Sequence, residues 1–145
     1  MKKLVIIVGL LVLFPVFLSA QTAAELETML ETTVVNCAQA ARFVMYSENP
    51  AFEGDAFEQA VANGWLKKSA ANDPVTLGKL SFLIMKAFGM KGGMMYAVFP
   101  GPRYAYRSMV SDNYIQGIAD PAMQVDGNRF LLILGRVLSA KGDEI

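Results

Sequence analysis

Three stretches of this chain align on one another without a gap, and the echo narrows sharply what the chain can fold into. They are Val35-Asn36-Cys37-Ala38-Gln39-Ala40-Ala41-Arg42-Phe43-Val44, Val75-Thr76-Leu77-Gly78-Lys79-Leu80-Ser81-Phe82-Leu83-Ile84 and Val125-Asp126-Gly127-Asn128-Arg129-Phe130-Leu131-Leu132-Ile133-Leu134. Each opens on valine and then Asn36, Thr76 or Asp126, residue types that accept a hydrogen bond from the bare N–H groups of a first helical turn. Each places a long polar residue three positions later (Gln39, Lys79, Arg129) and closes on an apolar pair. A unit of this size cannot cover its own apolar face, so repetition implies units packed on one another. The expected fold is all-α, a compact bundle of helix–loop–helix repeats.

The echo extends upstream. Ala105-Tyr106 matches Ala56-Phe57, Asn113-Tyr114-Ile115 matches Gly64-Trp65-Leu66, and Asp120-Pro121 matches Asp73-Pro74. Glycine after a last helical turn is the usual left-handed cap, which ends a short helix at Asn63-Gly64. The expected organisation is one domain over residues 21–140, built as a partial repeat at 23–48 and full repeats at 51–90 and 100–140. In the partial repeat, helical spacing of Leu26, Met29 and Leu30 and of Ala40, Phe43 and Val44 predicts helix over 23–46. Residues 32–35 are a candidate break, with Asn36 capping a second helix after it. The run Met94-Met95-Tyr96-Ala97-Val98-Phe99 lies between Gly92-Gly93 and Pro100-Gly101-Pro102, and reads as either a short strand or one helical turn. Residues 141–145 read as a disordered tail.

The first twenty residues read as an export signal. Lys2 and Lys3 precede an apolar run over 4–18, and Ser19-Ala20 supplies small residues for cleavage. An uncleaved anchor is the rival reading. Export places the chain in the periplasm or cell envelope, with no membrane contact beyond the signal. Without the two signal lysines the balance is 11 basic against 13 acidic residues, net −2, far from the basic footprint of a nucleic-acid binder. Cys37 is the one cysteine, so no internal disulfide forms. It sits in a first helical turn, where the dipole favours thiolate, but a small buried packing residue is the expected role.

These residues carry a family likeness. A short helix ended by Gly64-Trp65-Leu66 or Asn113-Tyr114-Ile115-Gln116-Gly117, a loop, then Val75-Thr76 or Val125-Asp126 opening a second helix, resembles the S-layer homology (SLH) repeat. The segment from Val35 is similar to that repeat's second helix without its first. Ala40-Ala41-Arg42-Phe43-Val44 and residues 104–120 also resemble small uncharacterised exported proteins of spirochaetes. The resemblance implies a module gripping acidic cell-wall polysaccharide. The family's Thr-Arg-Ala-Glu motif is not kept, however: Cys37, Leu77 and Gly127 replace its arginine, and Gln39, Lys79 and Arg129 its glutamate. The architecture is thus expected to outlast the ligand site.

Catalysis is not expected. The chain has no histidine, which removes Ser-His-Asp and Cys-His mechanisms. Asp73 and Asp120 precede proline as turn residues, and Asp126 reads as a cap. Gly89-Met90-Lys91-Gly92-Gly93 follows a helix, unlike a phosphate loop. Met85, Met90, Met94 and Met95 read as core filler rather than a copper site, so no metal or other cofactor is expected. The best binding candidate is Arg103-Tyr104-Ala105-Tyr106-Arg107 beside the rigid Pro-Gly-Pro turn, since arginine and tyrosine anchor binding hot spots. Trp65 and Tyr114 occupy equivalent repeat positions and, if they bind, would line a common groove near Arg103, Tyr104 and Arg107. The rival reading makes Trp65 and Tyr106 core residues, the favoured fate for Trp65, and leaves Tyr104 and the arginines to cap the bundle. The partner is a cell-wall polysaccharide or another exported envelope protein.

Overall fold

The computed structural model describes residues 22–143, and the export signal expected at residues 1–20 lies outside them. The elements are α1 (22–31), α2 (Cys37–Glu48), α3 (Ala56–Ala62), a short 3-10 turn (Lys68–Ala70), α4 (Leu77–Ala87), α5 (Met94–Val98), α6 (Pro102–Ser111) and α7 (Gly127–Asp143). There is no extended strand among them; pairing is limited to two isolated antiparallel bridges, Asn36 with Pro74 and Thr76 with Gln124.

All three expected caps form. The Asn36 Oδ1 accepts from the Gln39 N–H at 2.8 Å, and the Gln39 Oε1 takes the Asn36 N–H at 3.0 Å, a reciprocal box. The Thr76 Oγ1 accepts from the Lys79 N–H at 3.2 Å, and the Asp126 Oδ1 from the Arg129 N–H at 2.8 Å. Five of the remaining first-turn donors are satisfied from neighbouring units. Cys37 N–H donates to the Asp73 carbonyl at 3.0 Å, Leu77 N–H to Met123 at 2.9 Å, and Gly127 N–H to Thr32 at 2.8 Å. One residue further in, Ala38 N–H meets the Ala71 carbonyl and Gly78 N–H meets Pro121. The valines that precede the caps join up as well: Val75 N–H donates to Val35, and Val35 N–H donates to Val125, both at 2.8 Å. Val35, Val75 and Val125 are all fully buried at this centre.

Around it the units interlock by one rule. The short helix of each later unit lies on the long helix of the unit before it: α3 on α2, and α6 on α4. Both short helices bury their alanine (Ala56, Ala105), and both end in a left-handed residue at the same repeat position, Gly64 (φ 76°) and Asn113 (φ 63°). Asparagine tolerates that conformation better than other side-chain-bearing residues. Phe43 of α2 meets Phe130 of α7 edge-on at 6.0 Å, and Met29 joins the core beside them.

Three expectations are refined by these observations. The break at 32–35 is real, so the first unit has a helix, α1, ahead of its capped helix. This α1 is weakly seated, burying Met29 but leaving Leu26 and Leu30 exposed. The 94–99 segment is helical rather than a strand, because Ala97 and Phe99 donate back to Gly93 and Met95. The expected disordered tail is instead helix as far as Asp143; no proline interrupts α7, and Lys141 in its last turn complements the dipole. Residues 144–145 lie outside the described residues.

Two measurements probe the centre. Thr76→Ala and Asp126→Ala should each lower stability by about 1 kcal/mol in chemical denaturation, the usual worth of a helix cap. Gly127→Ala should cost more, roughly 1–3 kcal/mol by the same measurement, as overpacking does. A Cβ on Gly127 would fall 1.5 Å from the Met29 carbonyl oxygen, backbone that has no rotamer by which to yield.

Candidate functional site

The repeats place equivalent loops at different points around the centre, not at one end. The five candidate residues therefore separate. Trp65 and Arg103 share one groove. Tyr104 and Arg107 line a second depression. Tyr114 lines a third, with Met90, Asp112 and Val137. The expected common groove of Trp65 and Tyr114 is not formed.

The first groove, about 630 Å³, is the largest of these. One wall is the turn after α3, which carries Trp65 and Lys67. Its floor is the outward side of α4, with Gly78, Lys79 and Phe82, and Pro102-Arg103 at the start of α6 closes it. Gly78 lets the loop before α7 come close to α4: a Cβ there would stand 3.1 Å from the Pro121 carbonyl oxygen, while Pro102 of α6 would lie at an ordinary contact distance of 3.5 Å. Trp65 and Phe82 are half-buried against the core, and both line the groove. Lys67, Lys79 and Arg103 bring three cations and no carboxylate lines the groove. Among the described residues the ion pair is Arg42–Glu25, so none of these three cations is held in a salt bridge by a described carboxylate.

The second depression lies between α5 and α6. Ser108 is buried and accepts the Gly93 N–H at 3.0 Å, which fixes the lead-in to α5. Lys91, Arg107 and Asp112 surround it, with Tyr104 at its side. The Lys86 ammonium lies 5.7 Å from the Phe82 ring and 6.0 Å from the Tyr96 ring, and burial pushes the Tyr96 hydroxyl up.

Nothing in the sequence marks Lys67, Lys79 and Phe82 as ligand-facing. Lys79 is visible there as the polar third residue of its helix, but only packing shows that this position opens onto a groove. The equivalent Arg129 does something different. Its guanidinium donates to the Gln116 carbonyl at 3.1 Å, the Ile118 carbonyl at 2.9 Å and the Met123 sulfur at 3.1 Å, so it ties down the loop ahead of its own helix.

Cys37 is fully buried, and desolvation raises its thiol pKa. Lys79 opposes that shift and Asp73 adds to it. The packing role outweighs the helix dipole here. Among the described residues no group of histidine, cysteine and carboxylates has metal-holding geometry. Comparison with family models, curated proteins and solved structures finds no match to this chain, so the SLH resemblance rests on the residues quoted for it.

Burial of Cys37 has a chemical consequence. Native protein should leave a disulfide reagent such as dithionitrobenzoate unreacted, and denatured protein should release one equivalent of chromophore at once. Prompt reaction in the native state would place the thiol at the surface.

Proposed function

We propose that this chain is a non-enzymatic binding module of the cell envelope, and that it grips an anionic cell-wall polymer in the groove between Trp65 and Arg103. One observation carries the reading: two aromatic side chains and three cations converge on a single groove that contains no carboxylate. Aromatic rings suit the apolar faces of sugars, which stack against them. Arginine and lysine suit carboxylate or phosphate groups spaced along a polymer, with Arg103 able to engage them in bidentate fashion. Export, expected from residues 1–20, would bring the groove to such polymers.

A second reading has its own observation. The positions by which α2 and α4 receive a short helix are buried, as Ala41 and Met45 and as Ser81 and Met85. The equivalent positions on α7 are Leu131, half-buried, and Gly135, exposed, and Leu138 further along is exposed too. α7 thus keeps an open apolar face where its sister helices are covered. This supports an assembly subunit that docks onto another exported protein, with no carbohydrate bound.

Pelleting with purified cell wall separates the two. The first reading expects co-pelleting that salt weakens, because surface charge interactions are screened. Arg103→Ala and Lys79→Ala should each reduce it by about tenfold, the worth of a hydrogen bond to a charged group. Arg107→Ala, which faces the second depression, should change it little. Absence of wall binding, together with a partner whose capture is lost in Leu138→Asp, would favour the second reading.

A further inference from the structure

Between Asp73 and Asp112 the chain has no acidic residue at all, but it has five cations: Lys79, Lys86, Lys91, Arg103 and Arg107. All thirteen acids lie outside that stretch. The segment contains α4, α5 and α6, with α6 packed on both α4 and α5, so these cations are gathered on adjoining helices. On this layer sits the most exposed apolar cluster of the described residues apart from Ile118. Met94 is 83% exposed, Val98 61% and Phe99 61%, all within or just after α5. Tyr96, by contrast, is buried and anchors the turn from beneath, and Ser108 fixes its start. The exposed side chains are therefore held outward by a seated helix. Lys91 and Arg107 flank it, with Asp112 offsetting part of their charge at the edge of the same depression. Arg103 lies one turn before Arg107 on α6.

We propose that α5 is a membrane-surface contact: Met94, Val98 and Phe99 enter the headgroup boundary of an anionic phospholipid bilayer, and the surrounding lysines and arginines meet its phosphates. Apolar side chains standing out of a cationic rim are the combination that lies on an anionic interface, where either signal alone gives weak binding. An acidic soluble partner would account for the cations but leave Met94 and Phe99 without a reason to be so fully presented. The expectation of no membrane contact beyond the signal is replaced by a peripheral one. No helix among the described residues is long and apolar enough to cross a membrane, which suits a contact that rests on the surface.

The test is flotation of residues 21–145 with vesicles of equimolar phosphatidylglycerol and phosphatidylcholine. The buried core runs from Met29 to Val137, so this form carries it whole. The protein should float with these vesicles, and stay behind with pure phosphatidylcholine or in high salt. The double variant Met94→Ser, Phe99→Ser should keep its far-ultraviolet spectrum and lose vesicle binding by at least about tenfold, since it removes much of the apolar area that would be buried. It should keep any binding to cell wall, which keeps this proposal separate from the groove. Equal flotation with both vesicle types, no flotation with either, undiminished flotation of the double variant, or concentration-dependent self-association through these side chains in place of flotation would each overturn it.

Discussion

A helix that begins in a protein interior points N–H groups at surroundings with no carbonyl of its own to receive them. In this chain three helices begin side by side around Val35, Val75 and Val125, and the rest of the structure depends on how those donors are satisfied. The third residue of α2, α4 and α7 is served by the cap side chain of its own helix. The first is served by a carbonyl from the loop of a neighbouring unit. Each unit therefore needs the next one's loop in place before its own helix can start without penalty, since a buried unsatisfied donor is expensive. This dependence explains why the loops from Ala71 to Asp73 and from Pro121 to Met123 are pinned although none of their residues is buried. It also explains why Arg129 ties the next stretch of loop to its own helix.

Having fixed the centre by backbone bonds, the chain is free to vary its outer surfaces, and it does so unevenly. The α4–α6 layer gathers positive charge, while the acids of the described residues lie on α1, at the ends of α2 and α7, in and just ahead of α3, and on the loops. The groove beside Trp65 and the presented side chains of α5 both belong to this positive layer. The two proposals differ in what supplements the charge: half-buried aromatic rings lining a groove, or exposed aliphatic and aromatic side chains presented by α5.

Much of the fold was legible in the sequence because caps and punctuation are local. Asn36, Thr76, Asp126 and Gly64 do what their residue types predict, and the matching offsets gave the equivalence of α3 with α6. The arrangement of candidate site residues was not legible. Trp65 and Tyr114 share a repeat position, but sharing a position says nothing about sharing a surface when units are set around an axis. Arg103 and Arg107 are one helical turn apart, yet they face different depressions because the start of α6 is drawn towards Gly78 while its middle faces α5. The helical tail was missed because polar composition at residues 139–143 hides a continuation that Val137, buried below it, helps to seat.

The contacts of Val35 with Val125 and of Gly127 with Thr32 join the two ends of the described chain. In an open solenoid early repeats fold as soon as they are made, because each touches only its neighbours. Here the first unit's partners are among the last residues to appear. Bringing them together requires closing nearly the whole chain into a loop, and such long-range closure slows folding. The centre therefore cannot be complete on a nascent chain before the start of α7 has emerged, although α2, α3, α4 and α6 can meet one another earlier.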